Sequence, residues 1–577
     1  MRNNKYSMKS PYAFEIDVKN PAKRVVRVKL RRKIKAGANS FSMPVWTPGS
    51  YLVRDFPKHV FDLTAKLDGK QVEARKLNKH TWLVETDSSG ELTLEYSVYA
   101  HDLSVRTSYL THNFALLNLT SILMFHNNNL KDKVKISLLT PDNWKISTGM
   151  KSTGKKLIAS DMEEAFDSPI LTGELVQSRF DVDGKPHNIS IAGGRGNFDL
   201  KRIVSGIKSI VIENKDIYGE LPYERYEFLI VLSEKTGGGL EHRNSNVSMY
   251  PRLKFLPEKD EYRFYSLEAH EHFHTWLVKR IKPQAFMPYN YLEETYTRLL
   301  WVMEGVTSYY DNLIPVRAHV APISFYLKTI SEEINQYEQI PGKKLCSLEE
   351  ASFNAWIGLY KPDESTPNIY MSYYLKGGIV TLLLDMYLRS HGSSMDQVMK
   401  FLWENYAKQE RGIGEDEMQE IVSQATGVDV SDFFENYVRG TNNLPYELLD
   451  IVGLKLEKKK EKVPPILGVK AEGNKIRTVL FDSPAHEAGL APGDVVLAFD
   501  DIGLENNKIQ DTLKRYRVGE EVEVTILREG ILHKVRTRLE QPHPKLEIKQ
   551  VEKPTEEQKR AWEAWIKHPW KQEKTGE

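Results

Sequence analysis

A single cysteine, Cys346, occurs in 577 residues. No intrachain disulfide can form, and a disulfide scaffold and a cysteine-based zinc ribbon are both excluded. Any metal site must therefore be built from His, Asp and Glu. Long apolar runs are missing too. The longest, near Gly377–Leu388, is interrupted by Asp385 and falls short of the roughly 18 residues of a membrane-spanning helix. The opening MRNNKYSMKSPYAFEIDV has no apolar stretch of the kind a secretory leader carries. A cytoplasmic chain is expected, or a periplasmic or secreted one from which a leader has been removed. Neither sign of charge is in excess: 80 Lys and Arg stand against 79 Asp and Glu. That argues against a nucleic-acid binder working through bulk charge. With 40% hydrophobic and 10% aromatic residues the chain is too apolar to be disordered, and its length predicts about three to five domains.

Residues 1–167 read as β. Tyr12–Val18, Val25–Ile34, Thr81–Glu85, Leu92–Tyr99 and Val134–Leu139 are short runs rich in Val, Ile, Tyr and Leu, separated by turn signals such as Asp68-Gly69 and Ser89-Gly90. A β-sandwich or saddle is expected. From 168 to 453 two early strands, Asn188–Ala192 and Tyr226–Leu232, give way to helical patterns, among them Phe198–Glu213, Arg263–Val278, Tyr291–Asp311, Ala321–Tyr337 and Tyr370–Arg389. This predicts an α+β domain with a helical second half. The run LKLEKKKEKV at 454–463 reads either as a charged linker or as a solvated strand edge. Residues 464–541 form a small β-rich module with a Gly489-Leu-Ala-Pro-Gly-Asp494 turn, and 542–577 a polar tail in which Thr555 and Gln558 make a capping-box pattern before a helix bearing Trp562 and Trp565.

The strongest chemical signal is His270-Glu271-His272-Phe273-His274. On a helix, His270 and His274 project from one face and can grip one ion. Glu271 then lies beside the open coordination position, suited to take a proton from a metal-bound water. Zinc fits a set of two His and one carboxylate. The bland reading, a polar face with three histidines, sits badly with Phe273, Trp276, Leu277 and Val278, which predict a partly buried helix where unpaired imidazoles are costly. His272 falls on roughly the opposite face. Two carboxylates compete as third ligand. Glu304 lies mid-helix among apolar residues and needs a partner; Glu293, beside Glu294, lies near a predicted helix start, where the dipole favours it anyway.

With these residues in view the sequence resembles the M61 metallopeptidases, the glycyl aminopeptidase family, which are gluzincins related to the M1 aminopeptidases. The resemblance rests on Pro44-Val-Trp-Thr-Pro-Gly-Ser-Tyr-Leu-Val-Arg-Asp-Phe56, Gly237-Gly-Gly-Leu-Glu-His242, His270 to Pro283, Glu304-Gly-Val-Thr-Ser-Tyr-Tyr-Asp311 and Tyr374-Leu-Lys-Gly377. It implies a thermolysin-like α+β catalytic domain. Glu241, with Gly238 and Gly239, resembles the M1 segment that binds a substrate's free α-amino group, although His242 replaces the usual Asn. Tyr374 resembles the M1 tyrosine that hydrogen-bonds the tetrahedral oxyanion. The Glu304-Gly305 context matches the M1 third ligand, whereas M1 spacing would pick Glu293.

Residues 464–541 resemble a PDZ domain of the bacterial protease type, through Ile466-Leu-Gly-Val469 and Ser483-Pro-Ala-His-Glu-Ala-Gly-Leu-Ala-Pro-Gly-Asp494. Such domains take peptide C termini at a sheet edge, and the carboxylate would meet backbone amides near Pro465–Gly468. The resemblances together imply a zinc aminopeptidase with one Zn2+ per chain, held by His270, His274 and Glu304 and acting on small N-terminal residues. Glu271 serves as the base and Tyr374 as the oxyanion donor. Two alternatives stay open: an endopeptidase needing no free amine, and a PDZ peptide-binding protein with a degenerate peptidase domain.

Overall fold

The structure is a computed structural model and describes residues 10–256, 258–459, 463–504 and 508–571. Residues 1–9 of the expected N-terminal domain, 460–462 of the charged run and 572–577 of the tail lie outside the described residues. The architecture is multidomain α+β, and by contact it resolves into two compact units.

The first unit comprises Met1–Tyr296, Tyr310–Ala321 and Met399–Glu415. Its N-terminal part is built on an eight-stranded sheet in which Tyr12–Asp17 pairs in parallel with Val134–Leu139 and antiparallel with Val25–Ile34. Val25–Ile34 and Gly90–Tyr99 pair along their whole length, Val25 opposite Tyr99 and Ile34 opposite Gly90. Val26, Val28, Leu30 and Ile34 alternate inward, the period a half-buried strand requires. Arg32 occupies the remaining inward position and is tied down by Asp132 at 2.6 Å, by the Ser10 carbonyl and by His126. Gly37–Ser42 and Thr81–Thr86 belong to a four-stranded sheet whose Phe41, Trp82 and Val84 join the same core. The strand Ile170–Gly173 pairs with Phe114–Leu117 and Lys145–Thr148.

A five-stranded sheet follows, in the order Val176–Val182, Lys185–Ala192, Tyr226–Ser233, Ser245–Pro251, Gly238–Glu241. The middle strands are parallel, joined through the helix Leu200–Tyr218, and Tyr226–Ser233 is buried at every position. Parallel strands sheltered on both faces read as continuous apolar runs, which is why Tyr226–Leu232 is visible in the sequence. The last strand, Gly238–Glu241, is an edge. The helix Glu258–Phe273 contacts it and Ser245–Pro251.

The second unit comprises Thr297–Tyr309, Pro322–Val398 and Asp416–Glu577. Its helices include Ile323–Glu338 and Leu375–Ser390. Here one expectation needs correction. The helix predicted over Tyr291–Asp311 starts only at a π-helical turn, Trp301–Gly305, which continues as Val306–Arg317. Tyr291 is drawn into the core of the N-terminal sheets instead, and the Asn290 side chain caps the amide of Leu292, a local bond that competes with helix. In the charged run, Leu454–Lys458 is a strand paired with Leu546–Gln550. Between those strands lies the β-rich module, with Val469–Glu472, Lys475–Val479, Val495–Phe499, Glu521–Arg528 and Ile531–Arg538 around Ile476, Val496, Phe499, Val524 and Ile526. The helix Glu556–Ile566 carries the Thr555/Gln558 capping box, with Trp562 and Trp565 buried. Among the described residues no helix is long and apolar enough to cross a membrane.

Candidate metal centre and active site

His270 lies in the last turn of the helix Glu258–Phe273, and the His274 amide, 3.2 Å from the His270 carbonyl, extends that turn. His270 Nδ1 is 2.9 Å from Asp311 Oδ2, and His274 Nδ1 is 3.2 Å from the Leu277 carbonyl. Both partners are acceptors, so each Nδ1 carries the proton and each Nε2 keeps its lone pair. The two Nε2 atoms face one another at 3.0 Å. Two neutral imidazoles so placed cannot hydrogen-bond each other, but both can bind one cation. Acceptors behind the Nδ1 atoms are what orient metal-binding histidines. Burial raises the Asp311 carboxyl and its hydrogen bond with His270 opposes that. The turn presenting the Leu277 carbonyl is strained: Val278 has φ +77°, a conformation β-branched residues seldom adopt.

His272 points elsewhere. Its Nδ1 meets Asn214 Nδ2 at 2.9 Å and its Nε2 meets the Tyr223 hydroxyl at 2.8 Å; that hydroxyl reaches His187 Nε2, and His187 Nδ1 reaches the Lys185 carbonyl. Every proton in this chain is assigned by its ends. Lys185 makes His187 Nδ1 a donor, Tyr223 donates to His187 Nε2, and His272 Nε2 donates to Tyr223. Burial holds the His272 pKa well below its ordinary value.

Glu271 is seated against the edge strand. A Cβ at Gly239 would lie 1.9 Å from Glu271 Oε1, so a side chain at residue 239 would displace the Glu271 carboxylate. Gly238 begins that strand with φ +129°. Glu241 ends it, buried, with Oε1 making no hydrogen bond among the described residues. Gly49, from the motif Pro44 to Phe56, packs on the same carboxylate: a Cβ there would be 2.3 Å from Glu241 Oε1. His242 has a definite partner, its Nδ1 3.3 Å from Asp167 Oδ1. Lys279 Nζ is 2.7 Å from that same oxygen, and the Arg243 amide donates to the other. Burial pushes the Asp167 carboxyl up, but the Lys279 ammonium and His242 outweigh it and hold it well below the usual range.

Glu304 sits in the π-helical turn, where the Val306 amide bonds the Trp301 carbonyl. Such turns recur at functional sites. Tyr374 precedes the helix Leu375–Ser390. The two segments touch through their glycines: a Cβ on Gly305 would lie 2.6 Å from the Gly377 Cα. This is why Glu304-Gly305 and Tyr374-x-x-Gly377 each carry glycine. The Tyr374 hydroxyl is 3.3 Å from that of Tyr360, and its pKa is pushed well up by burial and then by the Glu304 charge. His270 and His274 bring two ligand-capable atoms together in the first unit, and Glu304 is carried by the second unit, in the segment Thr297–Tyr309. Glu293 instead accepts from the Asn290 side chain at 2.9 Å in an exposed position. Spacing arguments passed over Asp311, Tyr360 and Gly49. Asp311 and Gly49 stand inside motifs whose other residues drew attention, and nothing in the sequence ties Tyr360 to Tyr374.

Residues 13–174 match the Peptidase M61 N-terminal domain, 263–380 the M61 glycyl aminopeptidase and 452–539 the PDZ domain. No curated protein matches the chain. Among solved structures, an aminopeptidase N family protein from Idiomarina loihiensis is 29% identical, with 96% of this chain and 100% of that one covered and a TM-score of 0.90. An M1 zinc metallopeptidase from Deinococcus radiodurans is 12% identical over 76% of this chain and 96% of that one, with a TM-score of 0.48.

Proposed function

Because the chain belongs to the M61 metallopeptidase family, we propose that it is a zinc-dependent aminopeptidase removing small N-terminal residues, glycine or alanine, from peptides. The observation that carries this reading is the pair of Nε2 atoms facing each other at 3.0 Å, with both Nδ1 atoms committed elsewhere. His270, His274 and Glu304 would hold the zinc. When bound, zinc supplies a Lewis acid that polarises a peptide carbonyl and lowers the pKa of water to roughly 7.

The protein's own residues do the rest. Glu271, held against the Gly239 backbone, takes a proton from the attacking water and returns it to the leaving amine. Positioned acid–base catalysis of this kind contributes about 10²–10⁴-fold. Tyr374, kept protonated by burial and by the neighbouring Glu304 charge, donates its hydroxyl proton as a hydrogen bond to the developing oxyanion. Glu241 offers an unsatisfied carboxylate oxygen to the substrate's ammonium, a charge-assisted contact that makes the enzyme act at the N terminus. The match to the glycyl aminopeptidase supports the preference for small first residues.

The test is a panel of aminoacyl reporters, free and N-acetylated, with and without chelator. Glycyl and alanyl reporters should turn over fastest, acetylation should abolish cleavage, and chelation should stop it reversibly. Glu241→Gln should raise KM for free-amine substrates at least about tenfold. Undiminished cleavage of acetylated peptides would instead identify an endopeptidase.

A further inference from the structure

We propose that the peptide groove of the PDZ module is completed by the catalytic part of the chain, and that a peptide C terminus seated there acts on the segment carrying Tyr374. A groove of about 660 Å³ runs beside Val469–Glu472 and Ile509–Leu513. That PDZ domains take chain ends at such an edge is general. Here the opposite wall is not PDZ: it is the stretch from Glu338 to Lys344, at the end of the helix Ile323–Glu338.

The groove fits a chain end. At its head, the amides of Leu467 and Gly468 donate to no group among the described residues. Gly468 has φ +82°, and a Cβ there would lie 2.2 Å from Ser483 Cβ, so only glycine lets the loop turn this way. Apolar walls from Leu480, Phe481, Ile509 and Leu513 suit a hydrophobic last side chain. Lys343 pairs with Glu338 and Lys344 with Asp482, and of the other charges lining the groove Lys470 and Lys545 stand against the one carboxylate of Glu540, a balance that suits the terminal carboxylate.

A continuous bonded path leads from that head to Tyr374. The Leu480 amide donates to the Gly468 carbonyl at 2.9 Å. The residues flanking Leu480 are both held by one buried side chain: Asn368 Nδ2 donates to the Val479 carbonyl at 2.8 Å, and the Phe481 amide donates to Asn368 Oδ1 at 2.9 Å. Asn368 thus binds the edge of Lys475–Val479 as a neighbouring strand would. It belongs to the short helix Thr366–Ile369, which leads through Tyr370 directly to Tyr374. The groove's catalytic wall meets the same segment independently, since a Cβ on Gly342 would be 2.5 Å from the Tyr370 carbonyl. A peptide that moves either Gly468 or the 338–344 wall therefore strains residues 366–374. The inference that this alters turnover rests on the oxyanion role given to Tyr374 above.

The experiment uses the full chain loaded with zinc. The probe is a pool of N-acetylated pentapeptides ending in Val, Leu or Phe with a free carboxylate, beside the same pool as C-terminal amides. Calorimetry reads binding, hydrogen exchange reads residues 366–374, and an aminoacyl reporter reads kcat and KM. The acid pool should bind at least about tenfold tighter than the amides, change exchange across 366–374, and change kcat about fivefold with KM nearly constant. Asn368→Ala should bind the acid pool yet lose both responses. Should that variant fail to fold, Asn368→Asp keeps the acceptor for Phe481 and loses the donor to Val479, and its responses should shrink. Lys344→Glu should weaken binding about threefold. Equal binding of acids and amides, binding by neither, no exchange response at 366–374, or a full response in the Asn368 variants would each overturn the proposal. An exchange response without any reporter hydrolysis would keep the coupling and reject the aminopeptidase reading.

Discussion

His270, His272 and His274 stand within five consecutive residues, and their surroundings, not their type, divide their work. His272 is closed into a chain of neutral donors and acceptors, whereas His270 and His274 turn Nδ1 to acceptors and bring their Nε2 atoms together. Buried neutral imidazoles have a cost in acid. His126 and His187 are both held down to about 4, chiefly by burial. Their folded pKa lies below the unfolded value near 6.5, so the unfolded chain binds more protons between those limits. The stability they contribute is present above pH 6.5 and is lost as pH falls towards 4, on the order of 3 kcal/mol each. Thermal melts across that range should show a steep decline, and His187→Gln should flatten part of it; a stability independent of pH from 6.5 to 4 would contradict this. Glu271→Gln should lower kcat about 10²–10⁴-fold while metal content stays at the wild-type level. Two residues at this scale escape spacing arguments for a simple reason. Asp311 reaches His270 across 41 residues of chain, and His242 acquires its meaning only from Asp167, 75 residues away.

At the scale of elements, alternation and apolar runs make Val25–Ile34, Thr81–Thr86 and Val134–Leu139 legible almost to the residue, because each buries one face of a sheet. The stretch before Glu304 was not legible. Its apolar residues suggest helix from Tyr291 onwards, but Tyr291 is used by the core of the N-terminal sheets, and local periodicity cannot register that. The π-helical turn at Trp301–Gly305 is likewise invisible in sequence, although the paired glycines 305 and 377 that it serves are not. Their contact carries a prediction. Gly305→Ala would force a methyl to within 2.6 Å of the Gly377 backbone, pushing Glu304 and Tyr374 apart. Overpacking of this kind costs about 1–3 kcal/mol. The melting temperature should fall, and zinc affinity should fall with it in a metal titration. A variant that melts and binds zinc like the wild type would show that the contact positions nothing.

Across the whole molecule, the order of parts (a β-rich N-terminal domain, an α+β catalytic domain and a PDZ module) is readable from composition and motif. The status of the joints is not. Half of the charged run is the strand Leu454–Lys458, since its backbone finds a partner in Leu546–Gln550 from beyond the PDZ module. The tail is no loose end either. Trp565 Nε1 donates to the Tyr309 hydroxyl at 2.9 Å, which donates to Asp385 at 2.6 Å, and Arg389 closes the network on Asp385. Tyr309 follows Glu304 by five residues, so the C-terminal helix steadies the segment that carries the proposed third ligand. Trp565→Phe should destabilise the protein by about 1 kcal/mol, read as a shifted denaturation midpoint.

All of this turns on whether His270, His274 and Glu304 hold one ion. Metal analysis of the purified chain, set beside His270→Ala, His274→Ala, Glu304→Ala and Glu293→Ala, addresses that directly. The account predicts about one zinc per wild-type chain, loss of zinc and of hydrolysis in the first three variants, and retention of both in Glu293→Ala. Zinc lost from Glu293→Ala but kept by Glu304→Ala, or full hydrolysis by metal-free protein, would contradict it.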